Sequence, residues 1–580
     1  MKNIFPFLNW LPFYKKSDLF GDLNAGLTVG VMLIPQGMAY AMLAGLPPIY
    51  GLYASIIPLL VYALMGTSRQ LAVGPVAMVA LLVAAGIGKI AEIGSEDFIA
   101  MSILLAFMVG LFQFLLGLFR MGFLVNFMSH PVISGFTSAA AIIIAASQLK
   151  HLLGIQISNS NYIHEILIES ARKFSEIHWV SLVIGISAII LILILRKIKK
   201  AIPGALVAVS IGITVVWAFG LDNIGVKILQ SVPAGLPPVS LPQFSSNWIS
   251  QLWPTALTIS LVGFMESIAI AKAMEKRHRN YKVNANKELV ALGLANIAGS
   301  FFRSFPTTGG FSRTAVNDQS GAKTGMASII SATLIALTLL FLTPLFYYLP
   351  NAVLAAIIMV AVSSLIDIKE IIYLWRSDRR DFAMLIATFI GTLAFGIEEG
   401  IILGVILSLG LMIFQTTRPH FAIQGKIPGT TLYKNTERFT EAELRPDILV
   451  FRLDDRLYFA NTQFFKDKLE EHIALKGDAL KLLIINAESI NSVDSSGIHG
   501  LFDIIEDCRN KGVRVIINGA KGPVRDSLYR SGFSKFLGEE NFFLTVNGAV
   551  TAFDSHEKPK LVSFTMQNDV DSGEKIVQHT

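Results

Sequence analysis

From Asp22 to about Gln415 the chain repeats one pattern, an apolar run of roughly 15 to 24 residues followed by a short break of Gly, Pro and a few charges. About 20 residues are needed to cross the hydrocarbon of a bilayer as a helix, so about 12 to 14 spans fit. In the first half the runs lie near 22–44, 47–65, 71–88, 98–119, 131–150, 178–196 and 203–220. In the second they lie near 253–274, 286–302, 310–323, 326–349, 351–367, 380–396 and 397–415. The runs 71–88 and 310–323 are short or weak, and Gly and Pro precede both.

After Thr417 the texture changes to alternating strand and helix signals. Strands are predicted at Ile448–Leu453, Leu457–Ala460, Leu482–Asn486 and Val513–Asn518, and helices at Thr462–Leu475, Ser496–Asn510, Val524–Ser531 and Val546–Ser555. The chain therefore divides into an N-terminal segment 1–21, a transmembrane domain 22–417, a compact α/β domain 418–557 and a patternless, disordered tail 558–580.

Composition agrees: of 580 residues 53% are hydrophobic and 16% charged, which excludes a wholly soluble protein. The net charge of +6 is not a nucleic-acid footprint, because the cations sit in short loops between apolar runs. Alternating sides along the runs collects Lys15, Lys16, Arg69, Arg120, Arg196 to Lys200, Lys276 to Arg279, Lys323, Arg376 to Arg380 and Arg418 on one side. Glu92, Glu96, Asp97, Asp222, Glu398 and Glu399 fall on the other, and the longest loop, 151–177, is close to neutral. The positive-inside rule makes the basic side cytoplasmic, puts both termini there, and predicts a multi-pass protein of the cell (inner) membrane. No removable leader is expected at the N-terminus. The single cysteine, Cys508, forbids an intramolecular disulfide and suits a reducing cytoplasm.

The stretches MGTSRQLAVGPVAM (65–78) and AGSFFRSFPTTGGFSR (298–313) share an order of parts: helix end, Arg, extended Gly/Pro segment, helix start. They stand seven runs apart, and an odd number of spans inverts the second copy. Broken helices at matching positions of inverted repeats point to a binding site at the membrane midplane, where half-helix N-termini face an anion.

Thr308, Gly309, Gly310, Phe311, Ser312 and Arg313 open the second broken helix. Glycines let the backbone unwind, the next amides lack intrahelical acceptors, Ser312 adds a hydroxyl donor and Arg313 a fixed positive charge. An ordinary interfacial turn with a snorkelling Arg313 is the competing reading. Val73, Gly74, Pro75, Val76 and Ala77 open the first, with Pro in a first turn where its missing N–H costs nothing. Glu266, about twelve residues past Pro254, falls near the bilayer centre, where a carboxyl group either exchanges a proton or makes a structural hydrogen bond. Gln36 and Tyr40 are polar groups of the first span, read as ligand contacts or as helix-joining groups.

Other patterns carry no chemistry. GAKTG (321–325) has the wrong spacing for a phosphate loop, GIEEG (396–400) reads as a polar turn, and His278 sits in the basic loop KRHR. No metal-ligand cluster, cofactor motif or nucleophile triad is present, so neither a cofactor nor an enzyme is expected. In the α/β domain, Val493 to Gly497 (VDSSG) joins a strand to a helix. Its Asp and Ser cap the helix, and a phosphate on a Ser there would add about −1.5 to −2 charge and act as a switch.

The segments PIYGLYAS (48–55), LVY (60–62) and GTSR (66–69), with PQGMAYAMLAGLPP, AVGP, FMESIAIAKAM and GGFSRTAVN, resemble the SulP (sulfate permease) family, whose animal relatives are the solute carrier family 26 anion exchangers. VDSSG and its surroundings resemble a STAS domain. This resemblance covers nearly the whole chain. It implies two inverted seven-span repeats forming core and gate domains, a cytoplasmic STAS domain, a homodimer, and elevator-like transport of small anions. It assigns substrate binding to Gln36, Tyr40, Val76, Ala77, Gly310, Phe311, Ser312 and Arg313 and proton coupling to Glu266; Ser496 matches the Ser phosphorylated in stand-alone STAS proteins, a use not known for most transporter STAS domains. Sodium-coupled bicarbonate members carry Asp followed one turn later by Thr, where this chain has Glu266 and Ile270, which disfavours sodium. The expected function is secondary active sulfate transport by proton symport or anion exchange. A dicarboxylate or bicarbonate substrate, an uncoupled anion channel, and a scaffold whose STAS domain binds a cytoplasmic partner remain as alternatives.

Overall fold

The computed structural model describes residues 6–123, 129–157, 163–198, 203–363, 365–555, 561–565 and 575–579. Lys199 and Lys200 of the basic run, residues 158–162 of the long loop and most of the tail 558–580 lie outside them.

Fourteen helical segments follow the predicted runs: α1 (Lys16–Leu43), α2 (Ile57–Met65), α3 (Ala77–Ile87), α4 (Glu96–Leu118), α5 (His130–Ser147), α6 (Trp179–Ile198), α7 (Gly204–Phe219), α8 (Ser246–His278), α9 (Ala285–Ser300), α10 (Phe311–Gln319), α11 (Met326–Leu337), α12 (Asn351–Ser363), α13 (Arg379–Phe395) and α14 (Ile397–Thr417). Among the described residues eight helices are long and apolar enough to cross a membrane. Local chemistry sets the ends. Ser95 caps α4 by accepting from the Phe98 amide at 3.1 Å, and Asp18 accepts from the Lys15 amide at 3.0 Å to fix the first turn of α1. The predicted second run is broken, because a short helix Ile49–Tyr53 ends before Ile57-Pro58 starts α2. Past α11 the chain continues through a π turn, Thr338–Leu342, and a 3-10 turn opened by Thr343-Pro344. GIEEG is no free turn: it runs into the first turn of α14, where Glu399 pairs with Lys89 at 2.8 Å.

The helix packing repeats with a shift of seven. α1 packs on α11 as α8 packs on α4; α9 packs on α4 as α2 packs on α11; α6 packs on α12 as α13 packs on α5. Two inverted seven-span repeats produce this pattern, and it separates a core (α1 to α4, α8 to α11) from a gate (α5 to α7, α12 to α14). The close packing of α4 on α9 needs glycine: a Cβ on Gly110 would lie 2.6 Å from the Ile297 amide nitrogen, and one on Gly293 2.5 Å from that of Phe114. Gate helices leave Ile190, Ile194, Ile211, Trp217, Ile390 and Phe395 exposed, the apolar surface that a bilayer covers. The chain is an integral multi-pass membrane protein.

Residues Met1–Ser408 and Leu409–Thr580 form separate compact units. In the second, the strands Ile448–Leu453, Leu482–Asn486, Arg514–Asn518 and Phe542–Phe543 pair in parallel in that order, and Phe421–Lys426 joins Ile448–Leu453 antiparallel. Helices Thr462–Lys476, Ser495–Asn510, Gly522–Arg530 and Val546–Ser555 match the predicted ones within two residues. The structure differs from the sequence pattern locally. Leu457–Ala460 is no strand: Leu457 makes one bridge to Val493, then the Tyr458 amide donates to Asn461 Oδ1 at 3.0 Å and turns the chain into the next helix. Phe421–Lys426 and Tyr433–Asn435 are strands the pattern did not reveal. In the tail, Leu561–Thr565 and Lys575–His579 pair antiparallel, both being short stretches that contain β-branched residues.

Candidate functional site

Two extended dipeptides, Val73–Gly74 and Thr308–Gly309, meet antiparallel in the core with Val73 opposite Gly309 and Gly74 opposite Thr308. The Gly310 amide donates to Ala72 O at 3.1 Å, and the Ala72 amide to Thr314 Oγ1 at 3.1 Å. Straight after this two-residue ladder each strand turns into a helix: α3 after Val76 and α10 after Gly310, both extended and neither with a side-chain cap. First-turn amides of both half-helices are therefore uncommitted, and each helix brings its positive end to the same place.

Arg313, in the first turn of α10, is 2% exposed. Its Nη1 donates to Pro75 O across the ladder, while Nε and Nη2 are buried with no hydrogen-bond partner among the described residues. Glycine at 310 makes the room, since a Cβ there would sit 2.8 Å from the guanidinium carbon. Glu266, on α8, interacts electrostatically with Arg313, and its Oε2 is also buried without a hydrogen-bond partner among the described residues. Both residues line a cavity of about 400 Å³. Gln36 and Tyr40, one turn apart on α1, line it with Val76, Ala77, Gly310, Phe311, Ser312, Arg313 and Glu266, so the structure brings every predicted membrane-domain site residue to one place. Phe311 and Ser312, which line it, are exposed.

Several residues that sequence reasoning missed hold or complete the site. Ser267 accepts from the Gly309 amide at 2.8 Å and bonds Thr308 Oγ1 at 2.7 Å, while Thr308 donates to Gly263 O at 2.5 Å. Asn296 accepts from the Thr307 amide at 2.8 Å and donates to Thr307 O at 3.0 Å and Gln113 Oε1 at 3.1 Å. Gln113 and Asn296 are amides inside apolar runs, which is the signal that could have found them. From the gate, Ser134, Thr137 and His130 of α5 and Asp367 line the same cavity; Ser134 Oγ is buried without a partner among the described residues.

Ser496 belongs to the second compact unit, exposed in the first turn of the helix Ser495–Asn510, whose cap Asp494 accepts from the Gly497 amide at 2.8 Å. Among the described residues no group of three metal-ligating side chains occurs.

The sulfate permease family model matches residues 19–388 and the STAS domain model residues 440–549. The chain is 40% identical to Sulfate transporter 4.1, chloroplastic, of Arabidopsis thaliana over 97% of its own length and 85% of that protein's. It is 35% identical to High affinity sulfate transporter 2 of Stylosanthes hamata over 97% and 88%. Among solved structures, murine Solute Carrier 26 family member A9 in its inward-facing state matches with a TM-score of 0.89 at 25% identity, over 96% of this chain and 94% of that one. The transmembrane domain of the cyanobacterial bicarbonate transporter BicA matches at 0.60 and 25%, over 68% and 99%. The chain belongs to the sulfate permease family, a family of membrane transporters and not of enzymes, and it ends in a STAS domain.

Proposed function

We propose that this anion transporter is a secondary active carrier of a small oxyanion, sulfate first, working by proton symport or anion exchange through an elevator-like movement of the core against the gate. One observation carries the reading: the partnerless Nε and Nη2 of buried Arg313, set where two helix N-termini converge. A charged group costs about 2.5 to 3.5 kcal/mol at the centre of a spanning helix, so it calls for an anionic partner. The oxyanion accepts from Arg313 and from the free amides after Val76 and Gly310, and Ser312 adds a hydroxyl. Gln36 and Tyr40 close the site from α1.

Glu266 faces the same space, and both charges belong to the core. An anion and a proton bound there travel together, so Glu266 is the coupling group of a symporter. Ile270, which lines the cavity one turn on, supplies no oxygen for sodium. The basic ends of the helices lie in the cytoplasm with both termini, the membrane is the cell membrane, and the transporter is a homodimer. Ser496 is the STAS phosphorylation site, which regulates an unidentified cytoplasmic partner.

Bicarbonate is the second reading, favoured by the likeness of the membrane domain to BicA; a dicarboxylate is the third. Labelled sulfate uptake into proteoliposomes under an inward proton gradient, with fumarate and bicarbonate as competitors, separates them. Gradient-driven, saturable sulfate uptake supports the proposal. Entry of a competitor alone moves the assignment to that anion, non-saturating flux without trans-acceleration makes the protein a channel, and no flux favours a scaffold.

A further inference from the structure

A second cavity of about 400 Å³ lies at the basic end of the core, apart from the anion site. Three cations line it: Arg69 from the loop after α2, and Lys282 and Lys287 from the α8–α9 loop and the start of α9. No carboxylate is on its wall, and none of the three cations is within ion-pair distance of one among the described residues. Glu288, next in sequence, is turned inward and committed: Oε1 accepts from the Thr67 amide at 2.6 Å, Thr67 Oγ1 at 2.5 Å and the Ser68 amide at 3.3 Å, and Oε2 accepts from Tyr62 at 2.6 Å. It cannot neutralise the pocket, yet it ties the two cation-bearing segments together. The Asn284 amide adds a link to Thr67 Oγ1 at 3.3 Å. Arg69 is held over the Tyr281 ring at 5.6 Å from its centroid, and Ala63, Gly66 and Gly325 supply only small groups to the wall. Arg69, stacked on Tyr281, and the solvent-facing Lys282 and partly buried Lys287 surround a preformed hollow with no carboxylate on its wall, which makes it a receptor for a multiply charged anion.

The position of the pocket identifies the source of that anion. Trp10, which precedes the 3-10 turn Leu11–Phe13, forms part of its wall, and apolar side chains of that turn and of the first turns of α1 are exposed: Leu11 is 43% exposed, Phe13 71% and Phe20 77%. Such a collar of apolar and aromatic groups beside cations marks the depth at which lipid headgroups meet acyl chains. We propose that this pocket binds the phosphorylated headgroup of an anionic membrane lipid, its phosphates between Arg69, Lys282 and Lys287 and its acyl chains along Phe13 and Phe20. Nothing in this assignment depends on which anion is transported.

The test uses the full chain in phosphatidylcholine nanodiscs. The probes are dioctanoyl phosphatidylinositol 4-phosphate, soluble inositol trisphosphate and inorganic phosphate, each followed by thermal stabilisation and titration. Each juxtamembrane cation contributes about fivefold in affinity, so K282Q/K287Q should weaken binding about 25-fold. K276Q, which removes a charge from the same end but outside the pocket, should change it less than twofold, and Lys287→Arg should restore it in a Lys282 background. Unchanged melting in neutral lipid and unchanged sulfate uptake check that the double variant is folded. Binding of the soluble headgroup shows that phosphate contacts suffice, and binding of the lipid alone shows that the chains contribute; either supports the proposal. An equal loss in K276Q, or no probe binding to the wild type, overturns it.

Discussion

Replacing Ser267 by alanine tests whether the two-residue ladder sets the affinity of the anion site. Ser267 is fully buried and never touches the cavity, yet its hydroxyl oxygen is the acceptor for the Gly309 amide at 2.8 Å and a partner of Thr308 at 2.7 Å. Alanine leaves the Gly309 N–H without an acceptor, while Thr308 keeps its bond to Gly263 O. An unmade buried hydrogen bond costs about 1 to 3 kcal/mol. If that cost falls on the geometry that aims the α10 amides and Arg313, the affinity drops by about 5- to 150-fold, with roughly tenfold as the central expectation. Ser260, two turns earlier on the same helix, is an internal control. Its hydroxyl donates to carbonyls of Ala256 and Val109 and holds no amide of the ladder, so Ser260→Ala should change affinity less than about threefold. Saturation curves for labelled sulfate uptake at a fixed proton gradient, with melting temperatures measured in parallel, give the answer. A Ser267→Ala protein with an unchanged KM, or a Ser260→Ala protein impaired as strongly, would refute the reasoning.

Three further outcomes follow from the same geometry. Glu266→Gln should abolish the pH-gradient dependence of uptake while sulfate still binds, because the amide keeps the shape and cannot carry the proton; transport with unchanged pH dependence removes Glu266 from coupling. Gly310→Ala puts a Cβ 2.8 Å from the Arg313 guanidinium carbon, and overpacking of about 1 to 3 kcal/mol should lower sulfate affinity about 5- to 150-fold without unfolding the protein, as uptake and melting curves together would show. Cys508 is buried in the STAS domain, which pushes its thiol up to about 11, so at pH 8 it stays protonated and should resist maleimide until the domain is denatured; rapid labelling of the native protein would contradict that burial.

Hydropathy located the long apolar helices of the membrane domain, because apolar length is what a bilayer demands of each span, but not the shorter amphipathic helices Ile163–Arg172 and Ile368–Ser377. The inverted repeat was also legible, through the matching GP and TTGG breaks, since helix interruption needs Gly and Pro wherever it occurs. What escaped was whatever depends on a partner distant in sequence. The ladder joins Val73 to Gly309, and two residues are too few to show a strand period. Ser267, Asn296 and Gln113 are ordinary polar residues until the fold puts Thr307 to Gly309 against them. Ser134 and Asp367 reach the cavity from the gate, which carries no break motif to mark it. In the STAS domain, Leu457–Ala460 has strand composition, but the local Asn461 turn overrides it.

In the proposed mechanism the anion is held by Arg313 between the N-termini of α3 and α10. The most direct test is equilibrium binding of sulfate to the purified full-length protein in nanodiscs, wild type against Arg313→Ala, by calorimetry with melting curves to confirm the fold. Losing a charge-assisted hydrogen-bonding group of this kind costs about 1.5 to 3 kcal/mol, so the affinity should fall at least about tenfold in a variant that remains folded. Sulfate binding to folded Arg313→Ala as tight as to the wild type would place the anion elsewhere and contradict the account.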